Sequence, residues 1–230
     1  MALKDDLETE VKKIFRDNWT TRDGNVVPES GDVKLGNEAV KLDGTVLYAD
    51  LSGSTNMVDK KKPEFAAEVY KAYLHCAANL VRNEGGVITA YDGDRIMGVF
   101  IGNTKNTSAV RCALKINAAV QKVINPALKS QYPNTDFSVR QVVGIDTSSL
   151  WVARTGVRGA NDLVWVGRAA NYAAKLAGLS ADYPTRITSS VFDVMHKDVK
   201  FSQDKLMWEK ATWTAMNNLT IYRSTYLWNL

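Results

Sequence analysis

Apolar side chains recur at helical spacing in four stretches of the chain. Between residues 64 and 82, one side of the predicted helix carries Phe65, Val69, Tyr73, Cys76 and Leu80. The same spacing predicts helices over residues 3–18, 106–124 and 168–179. We expect the helix over residues 106–124 to end at Asn125-Pro126 and the last helix to end at Gly178.

Short apolar runs between these helices predict strands at residues 45–50, 87–91, 95–101, 137–145 and 150–155. Asp92-Gly93-Asp94 joins the second and third of them as a hairpin. Further short elements follow at residues 186–190 and after residue 200. This order of elements predicts an α+β fold, an antiparallel or mixed sheet with helices packed mainly on one face.

The first 43 residues differ from the remainder. The apolar side of the helix over residues 3–18 packs either on the chain's own core or on a partner subunit, and the pattern favours neither. Residues 19–43 are polar and contain Gly24, Pro28, Gly31 and Gly36, which predicts a connecting loop. We therefore divide the chain into an N-terminal helix with its loop, residues 1–43, and a main domain, residues 44–230.

Composition narrows the functional class. With 45% hydrophobic and 23% charged residues the chain is typical of a soluble globular protein. A net charge of +4 without a long basic run gives no reason to expect nucleic acid as a partner. The N-terminus has no secretory signal pattern and no apolar run is long enough to span a bilayer, so we expect a cytoplasmic protein without a membrane partner. Cys76 and Cys112 sit in apolar helical patterns and are interpreted as core residues.

Two acids carry the candidate chemistry. Asp50 ends the first apolar run of the main domain, and Asp94 lies in the predicted hairpin. Alone, Asp50 could cap a helix, and Asp92-Gly93 could form only a type I′ turn. The segment 52–55 that follows Asp50 reads Ser-Gly-Ser-Thr at a predicted helix start, where Ser54 or Thr55 is a candidate cap and backbone N–H groups suit phosphate oxygens. Together these features predict a site for divalent cations and a triphosphate.

Three segments resemble the signatures of class III nucleotidyl cyclases, in the same order. Tyr48-Ala-Asp-Leu-Ser-Gly-Ser-Thr55 resembles the first metal-binding segment, and Tyr91-Asp-Gly-Asp94 resembles the hairpin with the second metal aspartate. Gly167-Arg-Ala-Ala-Asn-Tyr-Ala-Ala-Lys-Leu176 is similar to the family's Gly-x-x-Val-Asn-x-Ala-x-Arg-Leu segment. The similarity covers roughly residues 44–190. It implies a ferredoxin-like cyclase catalytic domain for residues 44–230.

The resemblance also implies roles for individual residues. Asp50, Asp94 and Leu51 would form the metal site, with two divalent cations, Mg²⁺ or Mn²⁺, as cofactors. Ser52, Gly53, Ser54 and Thr55 would contact the triphosphate. Asn171 would orient the ribose. Lys175 stands where the family usually has an arginine on the α-phosphate, and Arg168, one turn earlier, is an alternative for this role.

In this family the metal acids come from one subunit and the Asn171 segment from the other, which implies a homodimer with composite active sites. A lysine near the C-terminus usually contacts the triphosphate. Lys205 and Lys210 are the candidates here, and their spacing does not choose between them.

Differences from the pattern of purine-specific cyclases indicate which nucleotide base the site accepts. Ala90 stands where purine cyclases have a lysine, and Val164 replaces their second polar base-reading residue. Tyr48 is bulky and would narrow the pocket, which suits a pyrimidine. The chain thus resembles the stand-alone pyrimidine cyclases of bacterial Pycsar anti-phage defence, whose product activates an effector protein on another chain. Tyr48 and Arg95 can donate to the carbonyls of uracil and favour UTP, whereas Asp92 could accept from cytosine and keeps CTP open.

Three other interpretations compete with this one. An ordinary adenylate or guanylate cyclase would take its base contacts from other residues. A non-catalytic cyclase homologue would only bind nucleotide or dimerise, but such homologues usually lose a metal acid. A palm-type polymerase or diguanylate cyclase also pairs two acids on a ferredoxin-like sheet, but the Asn171 segment argues against it.

Overall fold

A nine-stranded mixed sheet is the centre of the computed structural model, which describes residues 2–230. Its strands and those of a separate two-stranded hairpin are β1 (Thr20–Asp23), β2 (Glu38–Leu51), β3 (Val87–Asp92), β4 (Arg95–Phe100), β5 (Gln141–Val157), β6 (Ala160–Val166), β7 (Thr185–Thr188), β8 (Phe201–Ser202), β9 (Lys205–Leu206), β10 (Glu209–Trp213) and β11 (Leu219–Ser224). The α-helices are α1 (Leu3–Arg16), α2 (Ser54–Lys60), α3 (Pro63–Asn83), α4 (Lys105–Ala119), α5 (Asn125–Gln131), α6 (Arg168–Ala177) and α7 (Ser189–Val194). Among residues 2–230, no helix is both long and apolar enough to cross a membrane.

The strands lie in the order β10-β11-β7-β5-β2-β4-β3, with β1 beside β2 and β6 beside β5. Neighbours are antiparallel except β5 with β7 and β1 with β2. β2 and β5 form the long central pair, which runs from Ala39 opposite Ala153 to Leu51 opposite Gln141. These two strands connect the two ends of the sheet.

The two faces of the sheet are covered unequally. Helices α2 to α5 and α7 contribute to a large apolar core on one face, against Leu47, Ala49 and Ile145 of the central strands. α6 packs alone on the other face, against Val46 and Leu150. The predicted α+β architecture with helices mainly on one face is confirmed.

Close contact between α6 and the sheet depends on Gly144 of β5. A Cβ atom there would lie 2.2 Å from the carbonyl oxygen of Ala173 and 2.6 Å from the backbone nitrogen of Ala177. Any side chain at this position would therefore push α6 outwards. The inner face of the helix is also built mostly of alanines, which lets the helix lie against the strands.

The predicted strand pair 137–145 and 150–155 is wrong, because β5 is one strand of 17 residues. The polar residues 146–149 indicated a turn, but they pair with residues 43–46 of β2. Asp146 and Thr147 remain in the strand because their side chains find hydrogen-bond partners there. β6, which pairs with the end of β5, was not predicted.

The predicted loop over residues 19–43 is also wrong in part. Residues 20–23 form β1, and residues 38–43 form the first half of β2. β2 therefore crosses the expected boundary between residues 43 and 44 without interruption. Glycine and proline content concealed this strand, but buried apolar side chains such as Ala39, Val40 and Leu42 hold it in the sheet.

The helix over residues 106–124 does not stop at Pro126. A π-helical segment, Val120–Ile124, follows α4 and leads directly into α5. Pro126 is the second residue of α5, and the backbone hydrogen bonds change spacing in the π-helical segment directly before it.

Helix α1 lies apart from the core of its own chain. All of its residues are exposed, including Leu7, Val11 and Phe15 of the apolar stripe. Only its C-terminal end is held, by the side-chain nitrogen of Asn37, which donates to the carbonyl oxygen of Ile14 at 2.8 Å. Packing on the chain's own core is therefore wrong, and packing on a partner subunit stays a prediction.

Candidate functional site

Asp50 and Asp94 lie at the same end of the sheet. Asp50 is the last residue but one of β2, and the register places it opposite Arg95, the first residue of β4. Asp94 directly precedes Arg95 in the turn between β3 and β4, where Gly93 takes the left-handed φ of 60°. Asp94 thus lies in the turn. The turn sets the direction of its side chain, and the alternation of side chains along β3, which places Ala90 and Asp92 on one face, does not extend to it.

The electrostatics of this pair favour a bound cation. Burial raises the pKa of Asp50, and the Asp94 carboxylate raises it further, while the Arg95 guanidinium, with Nη2 3.5 Å from Oδ2, acts in the opposite direction. Oδ2 of Asp94 is buried without a hydrogen-bond partner among residues 2–230. Two mutually repelling carboxylates, one with an unsatisfied oxygen, suit a hard divalent cation.

No group of three His, Cys, Asp or Glu side chains that could hold a metal occurs within residues 2–230. An ion at Asp50 and Asp94 would thus need further oxygen ligands. The backbone carbonyl of Leu51 and the oxygens of a bound phosphate are of the right chemical type. The donor set therefore fits an ion that binds together with a phosphorylated substrate.

The raised pKa of Asp50 predicts a pH-dependent stability. The folded protein holds this proton more tightly than the unfolded chain, so the carboxylate lowers the free energy of unfolding at neutral pH. This destabilisation disappears as the pH falls through the pKa of Asp50 in the folded protein. We expect Asp50→Asn to melt at a higher temperature than the wild type at neutral pH, with the difference shrinking on acidification. Calorimetry in the presence of a chelator measures it, and a difference independent of pH would contradict the prediction.

Two tyrosines of α3 lie near the acids and were not among the predicted site residues. Tyr73 is completely buried, and its hydroxyl has no hydrogen-bond partner within residues 2–230. Burial raises its pKa well above the usual value, and the charges of Asp50 and Asp94 add to this effect. Tyr70 experiences the same influences more weakly. The apolar stripe of α3 concealed these phenols, whose pKa values are raised by the charges of the two acids.

Two rows of paired residues cross strands β2, β4 and β3 near the acids. In the first row Asp50 is opposite Arg95, which is opposite Asp92. In the second row Tyr48, Met97 and Ala90 are neighbours. Burial raises the pKa of Tyr48, Arg95 lowers it and Asp92 raises it. The Tyr48 hydroxyl is therefore protonated at neutral pH and can donate a hydrogen bond.

The loop that follows Asp50 differs from its prediction in two respects. The backbone N–H of Ser52 donates to the carbonyl oxygen of Arg140 at 2.8 Å, so it is not free for a phosphate. The N-cap of α2 is Gly53, and neither Ser54 nor Thr55 caps the helix. The first-turn amides of α2, which include Ser54 and Thr55, have no intrahelical acceptor.

The α6 residues predicted for the site point away from the sheet. Asn171 and Lys175 are exposed on the outer side of the helix, and Lys175 Nζ lies 3.6 Å from the sulfur of Met216. Arg168 instead turns towards β5, where its Nε lies 3.0 Å from Oδ2 of the buried Asp146. If Arg168 bound a phosphate, the buried Asp146 carboxylate would lose its ionic partner. This argues against the predicted role of Arg168 as a nucleotide ligand.

Val164 lies on β6 with 38% of its surface exposed, while Trp165 faces the core and packs there. Sheet register separates Val164 from the acids. Val164 pairs with Ala153, which pairs with Ala39, whereas Asp50 lies eleven residues further along β2. Eleven residues of strand span about 36 Å. One chain therefore does not bring Val164 and Asp50 together.

Lys205 and Lys210 lie on β9 and on the edge strand β10.

Comparison with known proteins gives the family. No family model matches the chain. A uridylate cyclase from Xanthomonas perforans is 54% identical over 231 residues, and one from Burkholderia cepacia is 51% identical over 232 residues; each alignment covers 100% of both chains. The crystal structure of the adenylyl cyclase CyaB from P. aeruginosa matches with a TM-score of 0.69 and 22% identity, over 81% of this chain and 95% of that one, which shows the same fold. The chain therefore belongs to the uridylate cyclase family, with the fold of adenylyl cyclases.

Proposed function

We propose that this nucleotidyl cyclase converts UTP to 3′,5′-cyclic UMP and pyrophosphate. The observation that supports the choice of base is the donor pair Tyr48 and Arg95 beside Asp50. Uracil presents two carbonyl acceptors. The Tyr48 hydroxyl is protonated, and the Arg95 guanidinium is always charged, so both groups donate at neutral pH.

The absence of polar purine-reading groups supports the same base. Ala90 and Val164 offer no side-chain donor or acceptor at the two positions where purine cyclases carry them. A purine bound there would leave its polar edge unpaired, which costs binding energy. Tyr48 also fills part of the space beside Ala90 and Met97, so a smaller base fits better.

The catalytic cations would be held by Asp50, Asp94 and the carbonyl oxygen of Leu51. When bound, two Mg²⁺ or Mn²⁺ ions acidify the ribose 3′-OH and neutralise the phosphates. The 3′ oxygen then forms a bond to the α-phosphorus, the bond to the β-phosphate oxygen breaks, and pyrophosphate leaves in line. Asn171 orients the ribose, and Lys175 balances the charge on the α-phosphate. Lys175 is a single point charge, without the fork of an arginine.

The enzyme would act as a homodimer with composite sites. Asp50 lies near one end of the central strands, Val164 of β6 pairs with β5 at their other end, and Asn171 points outwards from α6. Two copies related by a two-fold axis would bring the acids of one chain to the outer side of α6 and to β6 of the other. Each dimer would then contain two equivalent sites.

The cyclic nucleotide would serve as a second messenger in anti-phage defence. This part of the proposal rests on the resemblance to Pycsar cyclases and on the uridylate cyclase relatives. The receptor of the product would be an effector protein on another chain. Nucleoside triphosphates are cytoplasmic metabolites, so the proposal places the enzyme in the cytoplasm.

Incubation of the enzyme with each of the four ribonucleoside triphosphates and Mn²⁺ tests the proposed substrate. We expect cyclic UMP as the main product, with kcat/KM for UTP about 10²-fold or more above that for ATP and GTP. Preferential cyclic AMP or cyclic GMP would defeat the pyrimidine assignment. Preferential cyclic CMP would favour the second candidate, a cytidylate cyclase, for which the Asp92 carboxylate beside Arg95 is the supporting observation.

A further inference from the structure

An ion pair between a buried carboxylate and a half-exposed arginine fastens α6 to the sheet. The Asp146 side chain is completely buried in β5, and its Oδ2 lies 3.0 Å from Nε of Arg168, the first residue of α6. Nη2 of Arg168 lies 3.3 Å from Oδ1 of the same carboxylate. The hydroxyl of Thr188 also donates to Oδ1. The carboxylate is thus held by an arginine fork and a hydroxyl.

The same guanidinium makes two further contacts. Nη2 of Arg168 donates to the carbonyl oxygen of Thr147 at 2.8 Å and lies 3.0 Å from Oγ of Ser190 in α7. The next residue of the helix, Ala169, donates its backbone N–H to Oγ of Ser148 at 3.0 Å. The first turn of α6 is therefore tied to β5 and to α7.

The charge of Arg168 is unusual at this place. The N-terminus of a helix carries partial positive charge, so an arginine in the first turn is unfavourable without a compensating anion. Asp146 supplies that anion at the cost of its own desolvation, and buried ion pairs contribute little net stability. In some proteins such pairs instead fix one geometry among several. Asn171 lies one turn after Arg168, and Lys175 lies one turn further. The ion pair of Arg168 with Asp146 therefore sets the position of both outward side chains.

We propose that Asp146 and Arg168 are positioning residues, which hold α6 so that Asn171 and Lys175 reach the nucleotide bound by the acids of the other subunit. Arg168 itself does not touch the triphosphate. This inference rests on the proposed function, because it takes Asn171 and Lys175 to act in the transition state.

Steady-state kinetics of Asp146→Asn and Arg168→Gln with UTP and Mn²⁺ test the inference. We expect kcat to fall roughly 10²-fold in each variant, since small displacements of catalytic groups have effects of this size, with KM changed by less than about 3-fold. The double variant should be no slower than the slower single one, because both substitutions break the same contact. Arg168→Lys, which keeps the charge without the fork, should lie between wild type and Arg168→Gln and serves if Arg168→Gln does not fold.

Glu84→Gln is the matched control. The Glu84 side chain is 6% exposed and bonded to Arg111 and Lys115, so a similarly buried carboxylate joins the end of α3 to α4. We expect a comparable loss of melting temperature in Glu84→Gln, with kcat within about 2-fold of wild type. An equal fall in kcat in this control would show a general effect of destabilisation and overturn the inference. A raised KM in Arg168→Gln with normal activity in Asp146→Asn would also overturn it, by showing direct contact with the phosphates.

Mixed dimers separate this inference from the proposed function. Arg168→Gln mixed with Asp50→Ala should regain activity, because one site then combines intact acids with an intact α6. Arg168→Gln mixed with Asn171→Ala should regain none. If Asp50→Ala and Asn171→Ala do not complement each other, the composite site itself fails. If they complement each other and Arg168→Gln keeps the kcat of the wild type, only the positioning role fails.

Discussion

Asp50→Asn is expected to lower kcat by about 10³-fold or more, the largest single effect in this chain. The substitution keeps the shape of the side chain and removes the charge that opposes Asp94 and would hold a cation. Because the carboxylate is costly to bury, the variant should remain folded and melt at a higher temperature than the wild type at neutral pH. Product formation from UTP, together with Mn²⁺ binding followed by electron paramagnetic resonance, checks the result.

Asp43→Asn is the control for this change. Asp43 lies on the same strand, but it is exposed and bonded only to Lys105 at 2.8 Å, so the variant should keep full activity and full Mn²⁺ binding. Retention of cyclase activity in Asp50→Asn would remove the metal role from this residue. Loss of activity with unchanged Mn²⁺ binding would show that Asp50 acts by another route.

Mixing two inactive variants should restore activity. Homodimers of Asp50→Ala lack both metal sites, and homodimers of Asn171→Ala lack both ribose contacts. A mixed dimer contains one site with both defects and one site with none. If the chains exchange at random, half of the dimers are mixed, and we expect about a quarter of the wild-type activity. Titrating one variant with increasing amounts of the other, while the rate of cyclic UMP formation is followed, measures the recovered activity.

The control mixture combines Asp50→Ala with Asp94→Ala. Both lesions lie at the acid end of the sheet, so every mixed dimer has two damaged metal sites and should stay inactive. Recovery in this mixture would show that the two acids belong to different sites. Absence of recovery with Asp50→Ala and Asn171→Ala, in a sample where mixed dimers are demonstrated by mass spectrometry, would contradict the composite site.

The parts of this fold that the sequence predicted are those fixed by local patterns. Helix α3 and the β3–β4 hairpin follow from apolar periodicity and from the turn at Gly93. The placement of Asp50 and Asp94 at one sheet end was anticipated because both follow such signals closely. The resemblance to class III cyclases then gave the order of the three segments, and the full-length relatives confirm the family.

The parts that were missed depend on contacts between distant residues. The polar centre of β5 was interpreted as a turn because nothing local shows that Asp146 would meet Arg168 and Thr188. A carboxylate inside an apolar run is nevertheless a signal, since a buried charge requires a partner. Likewise, the apolar stripe of α3 gave no indication that the charges of Asp50 and Asp94 would raise the pKa of Tyr73, because that depends on how the helix packs on the sheet.

The length of β2 and β5 has a genetic consequence. β2 carries Asp50 near one end of the central pair, and β6 pairs with β5 at the other end, so in the proposed dimer every chain would contribute to two catalytic centres. A chain damaged at both ends would inactivate both centres of any normal chain with which it assembles. Such an allele would act as a dominant negative, and a cell producing equal amounts of both chains would retain active enzyme only in the minority of wholly normal pairs.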